Sequence, residues 1–466
     1  MGDHLAVPAH VAPTSPSIVE HLLFALKHEG TQLGILMEAL RQVPADDVQA
    51  ALGRTPTGGY IRALAFLWEA ANGPHLDASG TAGQAHLLFD PERYVTGAGQ
   101  REGRWRVEFN GLGSMQYCAT VERTPALQAL LDEDVMRRTT DYVDSLGAEL
   151  RDRTLAWAYM HETQSSYAIE KETPSEDRAR AFVALLHQAH EKRPLTEDYL
   201  AELQQAAITS PYHRAVSFRN EQNWLQGPGR GAPSVSYVPP PPAQASELMD
   251  ELMAFANAQD GSVPALVAAA VVKFGFVYLH PFMDGNGRVS RFLFHQTLCR
   301  AGALPDGLIL PVSVAMKRHE AGYMAALKSY SQPMRELWGV RFIDEGVFDF
   351  DYRGDTAFGV YRYWDATQCV EFACRMAEDA LEHELHQETI FLMRYDQLSR
   401  ELGDAFDIRG STLATLVTCA LKDGRVSKRR RDQFQHEVPT AAFELLDTRV
   451  QAIIDDLDDD AEVPSP

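Results

Sequence analysis

Twelve consecutive residues concentrate the chemistry of this chain: His280-Pro281-Phe282-Met283-Asp284-Gly285-Asn286-Gly287-Arg288-Val289-Ser290-Arg291. His280 has an ordinary pKa near ~6.5, which suits a general base. Asp284 offers hard oxygen, the donor type that Mg²⁺ takes on phosphates. Gly285, Asn286 and Gly287 can adopt positive φ and leave backbone N–H groups bare at the start of a helix, which is an anion site. Arg288 and Arg291, three apart, share one side of the first turn and add positive charge. Taken singly, each piece has an ordinary structural explanation: a capped helix end, a tight turn, a solvated charged face. In this order and within twelve residues they describe a polyphosphate cradle with a base beside it for a hydroxyl.

The elements that must hold this segment are helices. Ala265–Leu279, apolar except for Lys273, is too short for a membrane span and reads as a buried core helix, expected over Val263–Leu279. Pro281 disfavours its continuation, and a second helix should open near Gly287 and run to Arg300. Upstream, residues 17–72 carry helical spacing, with Val19, Leu22, Leu23 and Leu26 on one stripe and Tyr60–Ala71 as a later helix. Residues 85–121 mix glycine, proline and short alternating runs, which predicts loops and a few short strands. Helical pattern resumes from Thr124 to about Glu191. Within it, Thr173-Pro174-Ser175-Glu176 has the form of a capping box that starts a helix at Pro174. Gly227, Gly229 and Gly231 before the alternating Ser234–Val238, and then Pro239–Pro242, predict a β-hairpin and a stiff lead into a helix at Ala245–Ala258. Asn223–Ser236 is the only strand-like edge expected near the motif. A helix is expected at His319–Ser331, and further helices with an acidic tail over 346–466.

The twelve residues match the Fic family pattern H-x-F-x-(D/E)-G-N-G-R-x-x-R at every specified position, and the resemblance extends over about 160–335. Asn223-Trp224-Leu225 with Gly227, followed by Tyr237-Val238-Pro239-Pro240-Pro241, resembles the flap hairpin of that family. Leu310-Pro311-Val312-Ser313 with Tyr323 and Leu327 resembles the helix that closes its nucleotide pocket. Tyr60–Glu69 is similar to an N-terminal helix of longer bacterial members. The resemblance implies a mainly α fold: a Fic helical bundle with a β-hairpin flap, an N-terminal helical domain and a C-terminal helical, winged-helix-like extension. It implies that His280 deprotonates a target hydroxyl and that Asp284 holds Mg²⁺ on the α and β phosphates. Gly285, Asn286 and Gly287 would form the anion hole, and Arg288 and Arg291 would hold the outer phosphates of ATP, with Tyr323 in the nucleotide pocket. AMP would pass to a target protein, docked on the flap at Asn223, Trp224 and Leu225 by strand addition.

The resemblance also covers an inhibitory (S/T)-x-x-x-E-(G/N) helix. Ser166-Tyr167-Ala168-Ile169-Glu170 fits it, with Ser165 alongside, and implies a salt bridge from Glu170 to Arg291. Lys171 stands where Gly or Asn is usual, and Lys resists the left-handed conformation that Gly permits, so weaker inhibition is expected. Three alternatives stay open: removal of AMP, transfer of another nucleotide or phosphate group, and a DNA-binding regulator acting through the basic run Arg425–Arg431.

Bulk properties limit the rest. The 466 residues are 45% hydrophobic and 23% charged, with net charge −22, which argues against a general nucleic-acid binder. Cys118, Cys299, Cys369, Cys374 and Cys419 are scattered, as expected of a reducing compartment without disulfides or a zinc site. No leader or membrane span is read, so a cytoplasmic protein is expected. The expected organisation is a tail at 1–15, an N-terminal helical domain at 16–155, inhibitory helix and Fic core at 156–335, and a helical extension at 336–466. Expected partners are ATP, an unidentified target protein, and self-modification or a second copy of the chain.

Overall fold

A computed structural model describes residues 11–13, 16–73, 76–208, 211–352 and 359–461. The expected tail at 1–15 lies almost wholly outside them. The chain divides into two compact units, one of Met1–Thr140 with Tyr159–Glu378, the other of Asp141–Ala158 with Asp379–Pro466.

The first unit begins with helices α1 (Ile18–Phe24), α2 (Leu33–Arg41), α3 (Ala45–Arg54) and α4 (Gly59–Asn72). Leu36, Met37, Leu40, Leu64, Leu67 and Trp68 are buried together, as their helical spacing requires. Short strands follow: β1 (His86–Leu87), β2 (Gln100–Glu102), β3 (Val107–Phe109), β4 (Leu112–Gly113) and β5 (Cys118–Thr120). They form the sheet β1-β3-β2 and part of a second, in which a later strand, β10 (Tyr363–Asp365), runs parallel to β5 beside β4. Next come α5 (Pro125–Asp132), α6 (Val135–Ser145), α7 (Ala148–Ile169), α8 (Glu176–His187) and α9 (Glu197–Ala207). The expected helix start at Pro174 is corrected to Glu176. Ser175 is the N-cap and its side chain makes no capping bond.

The expected flap is present as β6 (Leu225–Gln226) paired antiparallel with β7 (Val235–Tyr237). After α10 (Pro242–Asn257) come the two central helices, α11 (Ala265–Leu279) and α12 (Asn286–Arg300). Every residue of α11 from Leu266 to Leu279 is buried, Lys273 included. A helix apolar on all sides belongs in the middle of a bundle. Helices α13 (Val312–Arg318) and α14 (Glu320–Glu336) complete this part.

The stretch after α14 departs from the expected helices. It forms a second hairpin, β8 (Trp338–Asp344) with β9 (Val347–Tyr352), turning at Glu345-Gly346. The flap is therefore not the only strand pair near the motif. Phe348 meets Trp224 with ring centroids 4.6 Å apart, and Trp338 shares a small core with Val235 and Val238. Arg335 joins the two hairpins, donating to the carbonyls of Val235 at 2.8 Å and Trp338 at 2.9 Å. Helix α15 (Thr367–Asp379) ends this unit.

The second unit contains the end of α6, α7 as far as Ala158, and α16 (His386–Ala405), α17 (Gly410–Asp423), α18 (Lys428–Phe434) and α19 (Thr440–Ala461). Its core is Leu398, Leu402, Leu416, Val417, Leu446 and Val450. Among the described residues no strand follows β10, so the winged-helix likeness lacks its wing. The basic run leads into α18, and Arg431 pairs with Asp447.

Candidate active site

Helix α11 stops because His280 takes a left-handed conformation (φ 49°) as its C-cap. Its carbonyl accepts from Arg219 Nε at 2.9 Å and Asn223 Nδ2 at 3.2 Å. Arg219 also donates its backbone N–H to Pro281, and Asn223 also donates to the Phe282 carbonyl at 2.9 Å. Two side chains thus hold the strained turn in place. The ring Nδ1 of His280 lies 3.0 Å from the Val277 carbonyl. A carbonyl only accepts, so Nδ1 carries the proton and Nε2 keeps its lone pair. Burial pushes the imidazole pKa down to about 4, assisted by the Arg219 charge and opposed by the bond to Val277 and by Glu170 and Asp284. His280 is therefore neutral near pH 7, the state a base needs.

The loop to α12 closes on itself. Asn286 Oδ1 accepts from the Phe282 N–H at 3.0 Å, and its Nδ2 donates to the Phe282 carbonyl at 2.7 Å. Gly285 caps α12 at φ 85°, where an added Cβ would meet Ile208 Cγ2 at 2.8 Å. Asp284 is partly exposed. Its Oδ1 accepts from the Gly285 N–H at 2.6 Å, and Oδ2 lies 3.2 Å from His213 Nδ1. Gln204, buried, fixes the segment from outside by donating to the carbonyls of Asp284 and His213. A single carboxylate at the mouth of an anion cradle fits Mg²⁺ that takes its other oxygens from phosphates and water.

Both motif arginines are buried and both are met by the end of α7. Arg291 donates Nε to Ser166 Oγ and Nη2 to the Ser166 carbonyl, each at 2.7 Å, and Nη2 also to Glu170 Oε1 at 2.9 Å. Arg288 donates Nη1 to Glu172 Oε2 at 2.8 Å and stacks its guanidinium 5.0 Å from the Tyr167 ring. Lys171 does adopt the left-handed conformation, at φ 60°. The N–H of Lys171 bonds to Ala168 and that of Glu172 to Tyr167, both at 3.0 Å, so the helix ends in a Schellman motif despite the lysine. The Glu170 carboxylate rests against the first turn of α12: a Cβ added at Gly287 would collide with its Oε1. Tyr323 is buried near Arg291, and burial raises its hydroxyl to about 12 against the pull of that charge. Lys273 Nζ lies 4.9 Å from the Tyr323 ring, its pKa lowered to about 7 by burial and by Arg291.

His280, Asp284, Gly285, Asn286, Gly287, Arg288, Arg291, Tyr323, Ser166 and Glu170 are thus brought together. The flap residues divide. Asn223 spends its amide on the motif loop, Trp224 packs on the second hairpin, and Leu225 pairs with Tyr237 in the flap. Arg219, Gln204, Lys273 and Glu172 were not anticipated. Only Glu172, two residues past Glu170, left a local signal.

Residues 194–298 match the family model described as Fic/DOC family. The chain contains a Fic domain. Over 76 residues it is 40% identical to the protein adenylyltransferase Fic of Drosophila grimshawi, covering 16% of this chain and 15% of that protein. Over 95 residues it is 38% identical to the protein of the same name in Drosophila mojavensis, covering 20% and 17%. The Fic domain match therefore spans about a sixth of the length of these curated relatives. Among solved structures, a Fic family protein from Desulfovibrio desulfuricans G20 aligns with TM-score 0.40 and 17% identity, covering 69% of this chain and 87% of that one. No helix among the described residues is long and apolar enough to cross a membrane.

Proposed function

We propose that the Fic domain transfers AMP from ATP to a hydroxyl side chain of a target protein and that Glu170 restrains it. The observation that carries this reading is the convergence of a neutral His280, Asp284, the open start of α12 and two buried arginines. His280 Nε2 takes the hydroxyl proton as the oxygen attacks the α-phosphorus. The new O–P bond forms as the bond from the α-phosphorus to the bridging oxygen breaks, and pyrophosphate leaves. The N–H groups at the start of α12 face the α-phosphate, and Arg288 and Arg291 take the outer phosphates, so the catalytic effect is positioning and charge stabilisation. Asp284 is the residue that would hold Mg²⁺, which supplies charge neutralisation on the phosphates. Arg219 and Asn223 keep the His280 turn aimed. A cleft of about 560 Å³, lined by residues including His213, Phe218, Phe282 and Met283, gives the target side chain an approach beside the motif loop.

Glu170 competes with phosphate for Arg291, since carboxylate and phosphate use the same donors. The test is incubation of wild-type protein and Glu170→Gly with ATP labelled at the α-phosphate and cell lysate. Labelled protein bands, stronger with Glu170→Gly, are expected. Label that stays out of protein with both would sink AMP transfer; equal label would sink the restraint.

A further inference from the structure

We propose that inhibition is a double lock in which Glu172 occupies Arg288 as Glu170 occupies Arg291. The inference rests on the reading of these arginines as phosphate ligands and extends its regulation to a second carboxylate.

The geometry is symmetrical in function. Arg288 has 2% of its side chain exposed and Arg291 1%, so neither guanidinium is in open water. A buried guanidinium needs partners, and each finds a carboxylate from the same seven-residue stretch, Ser166–Glu172. Glu172 grips with both oxygens, at 2.8 Å to Nη1 and 3.5 Å to Nη2. Asp284 Oδ1 lies 3.5 Å from the same Nη2, so the lock reaches to the neighbourhood of the metal-binding carboxylate.

An unbroken helix would not do this. Residues two apart on a helix point roughly 200° away from each other. The left-handed Lys171 reverses the chain between the two glutamates and turns both toward α12. The order Glu-Lys-Glu at a Schellman terminus therefore presents two anions to two arginines one turn apart. ATP must displace both. Removing Glu170 leaves Arg288 occupied, so Glu170→Gly is a partial release.

The test uses the full chain in four forms: wild type, Glu170→Gly, Glu172→Gln and the double variant. Gln keeps the shape of Glu172, whose side chain is one-third exposed, so folding is expected to survive and is checked by thermal melting. Affinities are measured for Mg-ATP and for inorganic tripolyphosphate, alongside incorporation of labelled AMP into protein. Glu172→Gln is expected to raise tripolyphosphate affinity, and the double variant to exceed Glu170→Gly about tenfold, which is ~1.4 kcal/mol. Unchanged affinity on Glu172→Gln in both backgrounds overturns the double lock. A fall overturns it too, since Glu172 would then be aiming Arg288 at phosphate. Raised polyphosphate affinity without any AMP incorporation would uphold the lock and sink the transfer reaction, so the two failures are distinguishable.

Discussion

If the Glu170 carboxylate stands in for phosphate at the start of α12, a methyl group at Gly287 should collide with both. The Cβ of Gly287→Ala would run into Glu170 Oε1 and lie 2.9 Å from its Cδ. Ordinary carbon contacts are ~3.5–4 Å, so the carboxyl group must retreat by roughly 0.6–1.1 Å. That retreat breaks the 2.9 Å bond to Arg291. A hydrogen bond to a charged group contributes ~1.5–3 kcal/mol. Because 37% of the Glu170 side chain is exposed, solvent screening discounts this to ~1 kcal/mol. Against this, Gly→Ala in a helix gains up to ~1 kcal/mol. The two terms nearly cancel in wild type, whereas with Glu170→Gly only the gain remains. Alanine should leave the thermal midpoint of the wild type nearly unchanged and raise that of Glu170→Gly, by ~2–4 °C for each kcal/mol in a domain of 150–250 residues. Equal shifts in both backgrounds would show that the carboxylate does not rest where the structure puts it. Binding completes the test: the methyl group should lower the Mg-ATP affinity of Glu170→Gly. Unaltered ATP affinity would mean that phosphate never enters the space now held by Glu170.

Three further outcomes are expected. His280→Ala should abolish AMP transfer while ATP still binds; in the intact enzyme kcat/KM should persist at pH 5 and fall only as the pH drops through about 4, because burial favours the neutral imidazole, and an acid limb near 6.5 would contradict that. Asp284→Ala should abolish Mg²⁺-dependent ATP turnover, and an unchanged metal titration would place the ion on other groups. Lys171→Gly should remove a left-handed cost of ~1–2 kcal/mol, raising the thermal midpoint and lowering basal AMP incorporation because the inhibitory terminus is then better populated; higher incorporation would refute this.

The site was largely legible because its chemistry is local. Twelve contiguous residues carry the proposed base, metal ligand and anion cradle and both arginines, and proline and glycine dictate the turn between two helices. The contact of Ser166 and Glu170 with Arg291 was legible as a spacing, the two residues standing four apart. What was not legible depends on contacts distant in sequence. Arg219 and Gln204 brace the motif loop from 61 and 80 residues away, and nothing near them in the chain says so. Asn223 is a docking residue by resemblance to the family flap, and its amide N–H₂ also braces the motif loop through the carbonyls of His280 and Phe282, which no local pattern shows. The second hairpin was missed although its signals are present. Val347-Phe348-Asp349-Phe350-Asp351-Tyr352 alternates, and Asp344-Glu345-Gly346 supplies the turn. One apolar face of it packs beside Trp224, which explains why a tryptophan stands in the flap.

Lys171 shows how a local rule can hold and still mislead. The rule that lysine resists positive φ is sound and predicts a loose helix end. Yet the terminus closes in the arrangement that glycine would give, because two hydrogen bonds, Lys171 N–H to Ala168 and Glu172 N–H to Tyr167, fix the reversal. The ion pairs of Glu170 and Glu172 hold it from either side. A left-handed cost of ~1–2 kcal/mol is comparable to one such pair. The strain at Lys171 is therefore tied to occupation of the arginines. While both carboxylates are seated it is offset, and once phosphate displaces them only the two backbone hydrogen bonds remain to hold the lysine at φ 60°. Release should then be cooperative: loss of one pair weakens the geometry that the other needs. Glycine at this position would uncouple them, because it adopts the reversal without help.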